Sequence, residues 1–112
     1  MNAAEALKMV EGIPAEQFIA GMDTDGVEKC CFLGHYSRVT SDNPNDYSSA
    51  NCEGGRYSKI CEASQLYLQK EHCMKYTSIA DINDGNKYYP YTEMKIKDRL
   101  IHFLTDMIKA GY

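Results

Sequence analysis

The C-terminal segment constrains this chain more than any other stretch. In "EMKIKDRLIHFLTDMIKAG", Ile96, Leu100, Leu104, Met107 and Ile108 recur at spacings of four, four, three and one. That pattern is one apolar face of a 3.6-residue helix. Lys97, Asp98 and Asp106 fall largely on the other side, and Gly111 stands where a helix-terminating glycine belongs. A helix from Glu93 to Ala110 is expected, with Thr92 as N-cap and Glu93 in its first turn. A helix apolar along one stripe must bury that stripe, so the preceding residues have to supply the elements that cover it.

They do so in short pieces. Asn2 to Met22 reads as helix, broken at Gly12, with Pro14 suited to the first turn of a second short helix from Ala15 to Met22. That second piece would set Phe18, Ile19 and Met22 on one face. "CCFLGH" is an apolar run too short to assign to helix or strand by periodicity. Thr40 to Arg56, rich in Ser, Asn, Asp and Gly, reads as a long polar loop. Tyr57 to His72 reads as helix, with Ile60, Cys61, Ser64, Leu66, Tyr67 and Leu68 on its apolar side. Ile79, Ala80 and Ile82 then look buried, ahead of the turn signal "NDG". The expected fold is mainly α, a compact bundle of four to five short helices in a single globular domain over residues 1–112. A small β-hairpin near Cys31 or Tyr88 is compatible with it.

Charge narrows the partners. The net charge of -4 gives no general attraction to a phosphate backbone. The one basic cluster, "KIKDR", is interrupted by Asp98, so direct nucleic-acid binding is not expected. No stretch approaches the ~20 apolar residues of a membrane span, and "MNAAEALKMVEGIP" lacks the pattern of a secretory leader. A cytoplasmic protein with reduced thiols is expected, so its five cysteines are not expected to form a disulfide framework.

The residues able to carry chemistry are few. Cys30 and Cys31 sit in an apolar run, where a free cysteine behaves as a small hydrophobe. A zinc site would have to gather Cys30 or Cys31, His35, Cys52, Cys61, His72 and Cys73, without the paired Cys-x2-Cys spacing that such sites favour. A Cys31 nucleophile with His35 one turn on matches no hydrolase signature. Neither metal nor cofactor is expected. His35 and Arg38 follow the apolar run, where side chains emerge from a core into a cleft, and a guanidinium there suits an anionic group. Asn83 and Asp84 belong to a turn signal, while the Asn83 side chain also offers a donor and an acceptor to a ligand. Tyr88, Tyr89 and Tyr91 surround Pro90, which prevents all three from sharing one helix face. At least one of them should be exposed, as stiff amphipathic contact area.

Two of these segments resemble a family of small phage and prophage proteins, a domain of unknown function. Cys30, Cys31, Leu33 and Gly34 match its early Cys-Cys-x-Leu-Gly segment. Ile79, Ile82, Asn83 and Asp84 match its later Asn-Asp segment, which precedes a closing amphipathic helix. The resemblance implies a compact helical fold and a mobile-element origin, and brings no catalytic residues. It leads to the expectation of a non-enzymatic accessory protein that binds a host protein, in its sharpest form a counter-defence inhibitor. The alternative is a protein that binds or sequesters a nucleotide-type small ligand, and a structural zinc protein or cysteine-dependent enzyme ranks third. The candidate binding residues are His35, Arg38, Asn83, Asp84, Tyr88, Tyr89 and Tyr91. Self-association is compatible with all of these.

Overall fold

In the computed structural model, residues 2–21, 29–40, 59–85 and 91–112 are described. The polar stretch from Thr40 to Arg56, Thr40 apart, lies outside them, as do Tyr88 and Tyr89. Among the described residues there are five α-helices: α1 (Ala3–Glu11), α2 (Phe32–Thr40), α3 (Lys59–His72), α4 (Ile79–Asn83) and α5 (Ile96–Lys109). The mainly α bundle is therefore present. No hairpin is found among the described residues. Phe18 and Cys30 instead form one isolated parallel bridge.

The C-terminal helix is the centre of the packing. Both α1 and α4 lie against α5, and α2 and α3 both lie against α4. On α5, Leu100, Phe103, Leu104 and Met107 are wholly buried. The buried stripe is thus rotated slightly from the expected one, taking in Phe103 and leaving Ile108 41% exposed. Gly111 ends the helix with φ 87°. Its N–H donates to the Ile108 carbonyl and the Tyr112 N–H to the Met107 carbonyl, at 3.1 and 2.9 Å. These two bonds satisfy carbonyls that the helix itself leaves open.

Local capping explains most of the other boundaries. Asn2 and Glu5 exchange side-chain bonds with each other's main-chain N–H to open α1, and Ser78 and Asp81 do the same for α4. The Ser64 hydroxyl on α3 accepts from the Ile79 N–H at 3.0 Å, which docks the start of α4 on α3. Cys30 and Cys31 answer differently to the helix-or-strand ambiguity. Cys30 takes the bridge, while the Cys31 sulfur accepts from the Gly34 N–H at 3.4 Å, where a serine hydroxyl would cap a helix. Both cysteines are buried free thiols.

Two expected elements are different in the structure. The second N-terminal helix is only a 3-10 turn, Ala15–Gln17, after which Phe18 is extended at φ -99°, ψ 138°. Helix propensity loses there to pairing: Cys30 N–H donates to the Gln17 carbonyl and Ile19 N–H to the Cys30 carbonyl. The last helix starts at Ile96 with Lys95 as its N-cap, and Thr92 does not cap it. The Thr92 and Met94 carbonyls both turn to the Arg99 guanidinium, which a continuous helix from Glu93 would prevent.

The face of α5 can be tested directly. Leu104→Ala should lower stability by ~2–5 kcal/mol, as for a large buried side chain removed from a packed core. Ile108→Ala should stay within ~0.5–1 kcal/mol, close to an exposed substitution. Urea unfolding of both variants checks this, and equal losses would mean that the buried face is misassigned.

Candidate functional site

The densest polar region is built from the "NDG" turn and one arginine. Asn83 ends α4 with its side chain wholly buried. Its Oδ1 accepts from the Phe32 N–H at 3.0 Å, so it caps α2 across 51 residues of chain. Its Nδ2 donates to the Ile19 carbonyl at 3.0 Å and to Asp84 Oδ1 at 3.1 Å. Asp84 is exposed, and the same oxygen also accepts from the Gly21 N–H at 2.9 Å. Gly85 then reverses the chain at φ 85°, a conformation that costs glycine little. The turn signal is thus real, and the Asn83 carboxamide does more than shape it.

Arg99 closes the other side. It is 94% buried on α5, and among the described residues its guanidinium donates to main-chain carbonyls. Nε donates to the Ile82 carbonyl at 2.6 Å and Nη2 to the Asn83 carbonyl at 2.6 Å. Nη1 donates to the Thr92 and Met94 carbonyls at 3.0 and 2.6 Å. One cation therefore holds the open end of α4 and the 91–94 turn together, a use that matches the negative end of a helix. Burial lowers its pKa and the Asp84 carboxylate raises it.

The turn that Arg99 holds carries Tyr91, which is 45% exposed at φ 72°. Its ring stacks on His102, with centroids 4.8 Å apart and planes at 28°. The expected exposed tyrosine is therefore present at Tyr91, and Arg99 joins its turn to the Asn83–Gly85 turn. A second exposed aromatic escaped the sequence reading. Tyr76 is fully exposed, at φ 59°. The only signal for it is position: a bulky ring between the polar end of α3 and the Ser78 cap, outside any apolar periodicity. Arg99 was also missed, because a charge on the edge of an apolar stripe reads as a solvated one.

His35 and Arg38 meet in a different place. Both line a groove of about 220 Å³ with Ile13, Gln17 and Val39. His35 is buried, its ring edge-on to Phe18 at 4.8 Å. Its Nε2 lies 2.8 Å from the Gln17 carbonyl, which can only accept, so Nε2 carries the proton. Burial lowers the His35 pKa, the bond to Gln17 raises it, and the charge of Arg38 lowers it, with burial the largest effect. The structure thus separates the expected residues into two groups, with Asn83, Asp84 and Tyr91 around Arg99, and His35 and Arg38 in the groove. The segment from Gln17 to Gly21 touches both. Among the described residues no three His, Cys, Asp or Glu side chains gather as metal ligands, and Cys52 lies outside those residues. No described helix is long and apolar enough to cross a membrane.

The buried imidazole makes stability pH-dependent, and the sign follows from its environment. A histidine whose folded pKa lies below 6.5 binds fewer protons in the folded than in the unfolded state. Its contribution is complete above the unfolded value and is lost as pH falls through the folded one. Titration of the His35 ring by NMR should therefore give a midpoint below 6.5, and the urea midpoint should fall from pH 7.5 to 5.5, less so in His35→Gln. A His35 midpoint at or above 6.5 would contradict this geometry.

Compared with protein-family models, curated proteins and solved structures, the chain matches none.

Proposed function

We propose that this chain is a non-enzymatic accessory protein of phage or prophage origin that acts in the host cytoplasm by binding a host protein, most sharply as an inhibitor of a defence factor. The origin rests on the resemblance of the Cys30–Gly34 and Ile79–Asp84 segments. The mode of action rests chiefly on Tyr91. That ring is exposed on left-handed backbone, in a turn whose two carbonyls are fixed by a buried guanidinium. Non-glycine residues adopt such backbone uncommonly, and a rigidly presented aromatic loses little entropy on binding. Aromatic anchors of this kind dominate many interfaces.

The competing readings have less support. His35, Asn83 and Arg99 are the buried groups with most to offer chemistry, and each binds main-chain atoms of the fold. A nucleotide-type ligand would need more room than the groove at His35 and Arg38, since ligand pockets run from ~300 to 1,000 Å³. A net charge of -4 suits a partner with a basic face, such as one that itself handles nucleic acid.

The test uses Tyr91→Asn and Tyr76→Asn, because asparagine tolerates left-handed backbone and removes only the ring. The wild-type chain is expected to capture a specific host protein from extract. Tyr91→Asn should keep its melting temperature and lose at least ~2 kcal/mol of affinity for that protein, as a truncated anchor does. Unchanged affinity in both folded variants would reject the tyrosines as anchors, and absence of any specific partner would reject the proposal.

A further inference from the structure

We infer that the Tyr91–His102 stack and the Asp98 carboxylate beside it form a docking surface for an arginine side chain of the bound protein, with the guanidinium flat on the exposed tyrosine ring and forked toward Asp98. This assignment rests on the reading of Tyr91 as an anchor, and names the group that the anchor meets.

The ring supplies the platform. Tyr91 stacks on His102 with centroids 4.8 Å apart and planes at 28°, and 45% of the residue stays exposed with that contact made. The imidazole backs the ring from α5. Arg99 fixes the turn that carries it, through the Thr92 and Met94 carbonyls. A ring held in this way is already ordered before a partner arrives, so little entropy is lost on docking. The face of an aromatic ring is its electron-rich side, and it attracts a cation.

The surrounding charges have the matching sign. Within four residues of His102 on either side, the charged side chains are Asp98, Arg99 and Asp106. Arg99 is buried, with its guanidinium on main-chain carbonyls. Asp98 is exposed and lies one turn before His102 on the same face of α5, with Cβ atoms ~5–6 Å apart. Among the described residues no hydrogen bond or ion pair engages its carboxylate. Asp106, half-buried, lies one turn beyond His102. Lys97 is turned to the Glu11 carbonyl, to which its Nζ donates at 3.1 Å. Lys95 and Lys109 are each seven residues from His102, ~10.5 Å along the axis and beyond the ~8 Å screening length of physiological salt. In the Tyr91 turn itself, exposed Glu93 offsets Lys95. The stack therefore sits in a negative field, and the complementary group is a cation.

Shape selects arginine over lysine. A guanidinium is flat and weakly hydrated, and its donors lie in its own plane. It can cover the ring with one face while its edge reaches a carboxylate at the side. An ammonium is compact and strongly hydrated, so one open aromatic face replaces little of its water shell.

The experiment titrates the full chain at pH 7.5 with N-acetylated Gly-Arg-Gly amide and follows the Tyr91 and His102 ring signals by NMR. Both rings should shift, with a dissociation constant on the order of 1 mM, as one anchoring side chain supplies. The citrulline peptide keeps the shape and loses the charge, and should bind about five-fold more weakly. The lysine peptide should bind about three-fold more weakly. Asp98→Asn that keeps the fold should weaken the arginine peptide about five-fold, and added salt should weaken it in the wild type. Unmoved ring signals, equal binding of the citrulline peptide, or an indifferent Asp98→Asn would overturn the surface. Equal binding of the lysine peptide would overturn arginine as its occupant. The peptide assay needs no host partner, so its outcome is separate from that of the capture experiment. A captured protein that is lost by Tyr91→Asn, with an arginine peptide that fails to bind, would overturn this inference and leave the anchor reading in place.

Discussion

One buried carboxamide ties together the parts of this chain that are far apart in sequence. Asn83 Oδ1 holds the first N–H of α2, and its Nδ2 holds the Ile19 carbonyl. Its own carbonyl receives the Arg99 guanidinium. Three segments thus meet at one residue: the extended piece after α1, the start of α2 and, through Arg99, the first turns of α5. A buried amide satisfied on both faces fixes geometry as well as energy, because each lost bond would leave a main-chain group desolvated. The aliphatic core holds the helices together, while this network sets where their ends lie.

The same network bears on what the protein can do. A chain of this size has few buried polar side chains, and the three with most chemical potential are engaged with main chain. What remains for partners lies at the rim. Tyr91 is carried on a turn that Arg99 holds from below, and a groove lined by His35 and Arg38 runs beside α2.

How much of this was legible in the sequence depended on range. The last helix was legible because its apolar spacing is a local property, and so were the Gly85 and Gly111 turns. The contents of the polar centre were not. Arg99 looks solvated until the carbonyls of Ile82, Asn83, Thr92 and Met94 are placed around it. Thr92 carries a good capping signal, yet that local preference yields to four charge-assisted bonds. Phe18 and Ile19 have helical company in sequence but are drawn into extended backbone by Cys30, eleven residues beyond Ile19. His35 and Arg38 were expected at a cleft and do share one. That Asn83 would cap α2 could not be read, because the pair is separated by 51 positions.

The central claim is that Asn83 locks the start of α2 into the global fold. The first N–H of a helix ordinarily lacks an intrahelical partner and exchanges readily with solvent. Native-state hydrogen exchange of the Phe32 amide reads the claim directly. It should exchange only through global unfolding, with the same opening free energy as the core amide of Leu104. Exchange of Phe32 at the rate of an open helix end, with Leu104 still protected, would show that α2 frays independently and that Asn83 is not the lock.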